Sequence, residues 1–466
     1  MKAGRSMADT NKTELFETMP IPKAVMTLAV PTMISSLVMV VYNLADTYFV
    51  GILNDPIQNA AVTLASPVIL AFNAVNNLFG VGSSSMMSRA LGRKDYETVR
   101  KSSALGFYFS LFFGLLISLV YTVFHTQVLN LLGAEAETVT ATAQYLRWTT
   151  SFGAAFMILN VVMAYLVRSE GYALHASIGT MCGCVLNIVL DPFFILPFGL
   201  NMGAGGAGCA TFISNVVACC YFFILISVKK KKGTTFISFN LKLLRAPKKI
   251  LAGICGVGIP AAIQNLLNVT GMTVLNNFMS AYGSDAVAAI GIAQKVNMIP
   301  MYIAMGMSQG IMPLIAYNYS SKNTKRMKNA VKFSMTIALV FLVSFTVIYH
   351  TASEGLIGIF MEDETVVSYG SSFLKGMCLA MPFLSIDFMA VGIFQSCGMG
   401  KKSLVFAILR KVVLEIPALC ILNKLFPMYG LAYAQLCAEV VLAAVAIIVM
   451  VRLFRKLDQE AKMNQA

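Results

Sequence analysis

Apolar residues run through this chain in long blocks rather than at alternating positions, and basic residues gather between the blocks. Residues 111–124 carry no charge, and residues 434–451 carry one, Glu439. A helix needs about 20 mostly apolar residues to cross the hydrocarbon core of a bilayer. By that measure the pattern predicts spans at 24–50, 60–86, 102–125, 142–167, 172–197 and 205–228. Six more follow at 250–280, 286–315, 329–350, 367–395, 403–424 and 429–452. Between the sets lies 229–249, too basic to span. The expected division is a cytoplasmic N-terminal segment (1–23), a first lobe (24–228), a basic cytoplasmic connector (229–249), a second lobe (250–452) and a cytoplasmic tail (453–466). The fold class is therefore an all-α membrane protein, with twelve transmembrane helices in two pseudo-symmetric six-helix lobes.

The two halves carry matching landmarks. Pro31 opens the first span as Pro260 opens the seventh, and Gly82 corresponds to Gly310. The loop Gly92-Arg93-Lys94-Asp95 corresponds to Ser320-Ser321-Lys322-Asn323, and Arg147 to Lys375. Arg168-Ser169-Glu170-Gly171 corresponds to Gln395-Ser396-Cys397-Gly398, Pro192 to Pro417, and Gly206 to Gly430. With an even number of helices per half, the repeats run parallel, related by an axis along the membrane normal. Secondary transporters use this design, with substrate near mid-bilayer and the lobes rocking around it.

Composition agrees with the pattern. The 466 residues are 58% hydrophobic and 12% charged, about half the charge of a soluble domain. The net charge of +14 invites a nucleic-acid reading, which its distribution excludes. All but Arg147, Lys295, Lys375 and Lys424 of the 35 Lys and Arg fall on one side of the predicted spans. That alternation is the positive-inside rule and predicts both termini in the cytoplasm. The polar first 20 residues predict no cleavable signal peptide, so the first span directs insertion. Ten Cys show no metal-ligand spacing and are expected to pack as reduced thiols.

Acids inside spans are the informative residues, because a charge at mid-membrane costs about 3 kcal/mol or more and faces a cavity or a partner. Asp46 lies one turn beyond Asn43, so both project from one face of the first helix. Asn187 and Asp191 share a face of the fifth, and Pro192 then removes a backbone donor. Two carboxylates in one low-dielectric pocket make a proton site, and with amide oxygens beside them they suit a sodium ion equally. A purely structural role for Asp46, cross-linking helices, stays open at this point. The second lobe offers a further candidate polar site in Gln264, Lys295, Asp387, Glu415 and Glu439. Lys295 is expected to form a buried ion pair with one of these acids, while Arg410 and Lys411 lie near enough to neutralise Glu415. Pro31, four turns before Asp46, is a candidate hinge, against the alternative of a static packing kink. The 29 Met, 31 Phe and 17 Tyr suit an adaptable cavity for flat, greasy cations, although most must face lipid or other helices.

His125, His175 and His350 are scattered, no metal site is expected, and no Walker loop is present. The chain is read as a non-enzyme without a cofactor, driven by an ion gradient of protons or sodium. A channel or membrane enzyme would need a filter or a catalytic cluster that the sequence lacks.

The segment Tyr42-Asn43-Leu44-Ala45-Asp46-Thr47-Tyr48-Phe49-Val50-Gly51 resembles the helix 1 signature of the multidrug and toxic compound extrusion (MATE) family. Phe79-Gly80-Val81-Gly82, Ser88-Arg89-Ala90-Leu91-Gly92, Asn187-Ile188-Val189-Leu190-Asp191-Pro192 and Pro313-Leu314-Ile315-Ala316-Tyr317-Asn318-Tyr319 extend the resemblance over nearly the whole chain, nearest to its MepA-like and DinF-like bacterial branches. The resemblance implies an inner-membrane antiporter, functional as a monomer, that exports drugs in exchange for protons or sodium ions, with membrane lipids as its other partners. In the DinF-like branch the cation site would map onto Asp46, Asn187, Asp191 and Thr211, and the bend of helix 1 onto Pro31. The NorM-like branch uses an acid in helix 7 with one in helix 10. Here helix 7 has Gln264, Asn265 and Asn268 but no acid, so Asp387 lacks that partner. A flippase for lipid-linked saccharides is the alternative within the wider superfamily. It would be expected to line its cavity with several Arg, and helices 1, 2, 7 and 8 offer only Lys295.

Overall fold

The computed structural model describes residues 14–245, 247–361 and 363–463. Lys2, Arg5 and Lys12 of the basic N-terminus, and the last three residues of the tail, lie outside the described residues. Among the described residues the chain is helical throughout, without a strand. In lipid this is forced, because a backbone with no water to bond must satisfy its N–H and C=O groups within each segment.

Nine helices are long and apolar enough to cross a bilayer among the described residues. They are α1 (Ile21–Ile52), α2 (Pro56–Gly92), α3 (Tyr96–Val123), α5 (Ala173–Ile195), α6 (Ala204–Lys231), α7 (Lys248–Ser280), α8 (Ser284–Ser320), α9 (Thr324–Thr351) and α12 (Tyr429–Met463). Two more spans are bent. In α4, Val139–Phe152 meets Ala154–Ser169 at 53° across Gly153, and in α10, Glu364–Cys378 meets Met381–Ser396 at 48° just before Pro382. The twelfth helix, α11, runs through Gly400–Ile408, a π-helical Leu409–Glu415 and Ile416–Leu425. Its charges set it apart from the others, for Arg410, Lys411 and Glu415 are all buried within it. Both cations fall inside the predicted span 403–424, where Lys411 meets Glu415 as the spacing allows. Several helices outrun the apolar blocks that predicted them, because polar residues at their ends continue the helix beyond the hydrocarbon.

The chain gathers into two compact units. One comprises Ile34–Ala262 with the described part of the segment ending at Thr18, and the other comprises Met19–Met33 and Ile263 onward. The chain changes unit two residues after Pro31 in α1 and two residues after Pro260 in α7. Each unit has its own apolar core. Val50, Tyr121, Leu146 and Ile195 anchor the first, and Met279, Ile290, Leu342 and Phe373 the second.

Local geometry repeats between the units at the matched landmarks. Helices α2 and α8 end in the same way, with Lys94 and Lys322 in the left-handed region at φ 58° and 62°. Asp95 N–H then donates to the Ala90 carbonyl at 2.9 Å, and Asn323 N–H to the Asn318 carbonyl at 3.0 Å, a C-terminal cap. The same two residues cap the next helices, Asp95 accepting from Thr98 N–H at 3.1 Å and Asn323 from Arg326 N–H at 3.2 Å. Burial alone would raise the Asp95 carboxyl, but the Thr98 hydrogen bonds, with Arg93 and Lys101 nearby, hold it below the usual range.

Glycine is required where helices touch by their backbones. A Cβ on Gly82 of α2 would lie 2.4 Å from the Ile254 carbonyl of α7, and one on Gly310 of α8 would lie 2.8 Å from the Leu28 carbonyl of α1. Since a backbone carbonyl cannot step aside, Gly82→Ala is expected to destabilise the protein by about 1–3 kcal/mol. Gly256→Ala, with open space around its Cβ, is expected to be neutral or slightly stabilising. Thermal unfolding of both variants in detergent tests this, and equal midpoints would contradict it.

Candidate functional site

The acids singled out by the sequence fall into two groups, one in each unit. In the first unit, one turn of α5 brings Asn187 and Asp191 onto a buried face, 1% and 0% exposed. Pro192 follows without ending the helix, which runs on to Ile195. Thr211 reaches the pair from α6. With its nitrogen toward the acid, the Asn187 amide donates to Asp191 Oδ2 at 3.0 Å. Its oxygen then accepts from Thr211 Oγ1 at 3.2 Å and from Thr211 N–H at 3.0 Å. The reverse orientation keeps only the 3.2 Å contact to Thr211 Oγ1 and turns an acceptor toward the carboxylate, so the first is preferred.

Asp46 on α1 comes close enough to Asp191 for the carboxylates to interact electrostatically. Asp46 Oδ1 and Asp191 Oδ1 have no hydrogen-bond partner among the described residues. Nor does any Lys or Arg pair with either acid among those residues. Asn43 is exposed, its backbone carbonyl accepting from Thr47 Oγ1 at 2.9 Å. Pro31 lies half-buried inside an unbroken α1.

The structure adds four residues that the sequence did not single out. Tyr42 lies within hydrogen-bonding reach of Thr211, and Tyr145 on α4 lies in electrostatic range of both acids. Asn160 Nδ2 donates to Asn215 Oδ1 at 3.0 Å, and Asn215 Nδ2 to the Thr211 carbonyl at 2.8 Å. Only Tyr42, one turn before Asp46, had a signal in the sequence. The set supplies carboxylate, amide and hydroxyl oxygens, which suit a proton or a hard monovalent cation. No cluster of three His, Cys, Asp or Glu able to hold a metal ion occurs among the described residues.

The second group has the opposite electrostatics. Arg410 Nη2 lies 2.6 Å from Glu439 Oε1, and Arg410 Nη1 lies 3.4 Å from Asp387 Oδ2. Lys411 Nζ lies 2.6 Å from Glu415 Oε2, in space left by Gly271, whose Cβ would fall 3.1 Å from that nitrogen. Three carboxylates thus meet two cations, with the surplus acid shared on one guanidinium. Gln264 stands apart, accepting from Gln395 Nε2 at 3.2 Å, which also donates to Ser403 Oγ at 3.2 Å. The expected ion pair of Lys295 is not formed among the described residues. Its side chain is exposed, and Arg410 and Lys411 hold the acids instead. A long amphipathic chain on a helix surface carries its ammonium outward unless a carboxylate holds it inside.

A family profile described as MatE matches residues 31–193 and 260–421, one copy in each half. The Multidrug export protein MepA of Staphylococcus aureus (strain MRSA252) is 35% identical over 437 residues, 93% of this chain and 94% of that protein. That of Staphylococcus saprophyticus is 37% identical over 438 residues, with the same coverage. A solved outward-facing multidrug resistance MATE family transporter superposes with a TM-score of 0.90 at 26% identity, covering 96% of this chain and 99% of that one.

The contrast between the groups predicts how each tolerates mutation. Arg410→Ala strands two buried carboxylates and is expected to cost about 3–5 kcal/mol. Lys456→Ala, which breaks a solvent-exposed pair with Glu460, is expected to cost less than about 1 kcal/mol. Thermal midpoints of the purified variants measure the difference, and a small effect of Arg410→Ala would contradict the bracing role.

Proposed function

We propose that this chain, which belongs to the multidrug and toxic compound extrusion family, is a secondary active multidrug efflux antiporter of the bacterial inner membrane. It exports lipophilic, often cationic compounds by alternating access, in exchange for protons or sodium ions. The observation that carries this reading is the pair of carboxylates on α1 and α5, with open oxygens and no basic partner among the described residues. Two such acids in a low-dielectric interior cannot both stay charged and uncompensated. A proton or a sodium ion from the gradient neutralises them at the open oxygens Asp46 Oδ1 and Asp191 Oδ1, while the Asn187 amide, fixed by Thr211, donates to the other oxygen of Asp191.

Exchange follows from competition. A cationic drug and the coupling ion stabilise different states of the same acids, and each binding event shifts the balance between inward- and outward-facing forms. Asp46 sits on the helix that passes from one unit to the other just after Pro31, so a change of charge there biases the bend of α1. The lobes correspond to 24–228 and 250–452, joined by the connector at 229–249 and flanked by cytoplasmic segments at 1–23 and 453–466. A single chain works as a monomer. The second unit contributes rigidity, its acids being held by Arg410 and Lys411. The drug class rests on the relatives that carry the name Multidrug export protein MepA.

Asp46→Asn removes the charge while keeping the shape. Dye extrusion from energised vesicles is expected to be lost, with the amount of inserted protein unchanged. Extrusion at the wild-type rate would overturn the proposal.

A further inference from the structure

A second feature of the first unit lies on the other side of α4 from the carboxylates. Tyr145 is 4% exposed and lies in electrostatic range of Asp46 and Asp191. Arg147, two residues on, is exposed on the opposite side. There it borders an open cleft of about 600 Å³, also lined by Gln144, Trp148, Phe152, Asn201 and Phe212.

Local helix geometry builds this cleft. Residues Arg147–Phe152 form a π-helical turn, whose wider winding places residues four and five apart over one another. The guanidinium of Arg147 therefore stacks on Phe152, 5.9 Å from the ring centroid. Trp148 lies 5.6 Å from Phe152 and 6.0 Å from Phe212, making one aromatic wall. Gly205 lets α6 approach, since a Cβ there would lie 3.2 Å from Gln144 Cβ. No carboxylate lines the cleft, and Arg147 has no ion-pair partner among the described residues.

We propose that this cleft binds an anionic phospholipid, its phosphate on Arg147 and its acyl chains along Trp148, Phe152 and Phe212. A guanidinium matches phosphate oxygens in a two-pronged contact that a stacked arginine is already oriented to make. The exposed amides of Gln144 and Asn201 add donors at headgroup level. Tryptophan with an arginine beside it is the side-chain pairing that favours the bilayer interface. Arg147 lies roughly two turns into α4, at the end that also holds the α5–α6 loop with Asn201, away from the basic loops. Charge selects the occupant, because a zwitterionic headgroup brings its own cation against Arg147. The second repeat keeps a cation in the equivalent place, for Lys375 also precedes the bend of α10.

Trp148 is the only tryptophan in the chain, so its fluorescence reports on this cleft alone. The full-length protein is reconstituted with phosphatidylglycerol or phosphatidylcholine carrying brominated acyl chains, which quench a ring they touch. Half-maximal quenching is expected at a roughly tenfold lower mole fraction of the anionic lipid, as one charge-assisted contact implies. Arg147→Gln is expected to abolish that preference. Gln144→Glu, an exposed change that keeps the arginine, should do so as well, and it tests the idea should the first variant fold poorly. Equal quenching by both lipids in the wild type, or an unchanged preference in a folded variant, would overturn the proposal.

Discussion

A carboxylate inside a bilayer needs a counter-charge, and the two units of this protein meet that need differently. In the second unit the partners are fixed, with Arg410 spanning Asp387 and Glu439 and Lys411 holding Glu415. In the first unit no cation stands beside Asp46 and Asp191 among the described residues. Instead, the Asn187 amide donates to Asp191 and is itself held by Thr211, which Tyr42 reaches in turn, so only neutral dipoles stand there. A fixed partner makes a brace, whereas dipoles alone leave room for an ion that comes and goes. The rest of the account depends on that difference.

The same constraint explains what duplication preserved. Backbone features needed to pack a six-helix unit recur at matched positions, including the left-handed Lys94 and Lys322 and the helix contacts at Gly82 and Gly310. The charged residues did not keep step. Asp191 and Glu415 both precede a matched proline, yet only Glu415 acquired a lysine one turn earlier. Packing is shared by the halves, and the chemistry has diverged.

Much of the fold was legible because lipid imposes a one-dimensional signal of apolar length and basic loops. It failed where charge is compensated in three dimensions. In α11, Lys411 holds Glu415 as the sequence spacing allowed, but Arg410 turns instead to Asp387 and Glu439, acids on other helices that spacing along one helix cannot reveal. Lys295 resembles a buried cation but is exposed. Of the first site, Asp46, Asn187 and Asp191 were readable as acids and amides at helical spacing, and Thr211 through family resemblance alone. Tyr145, Asn160 and Asn215 were not readable, since residues of these types occur on every helix and only packing shows which of them meet.

The central claim is that the ion gradient acts through the uncompensated acids of the first unit. Its most direct test is dye efflux from proteoliposomes under separately imposed proton and sodium gradients, comparing the wild type with Asp191→Asn. The account predicts that the wild type follows at least one gradient and that the variant, inserted in equal amount, follows neither. Gradient-driven efflux by Asp191→Asn at the wild-type rate would contradict it.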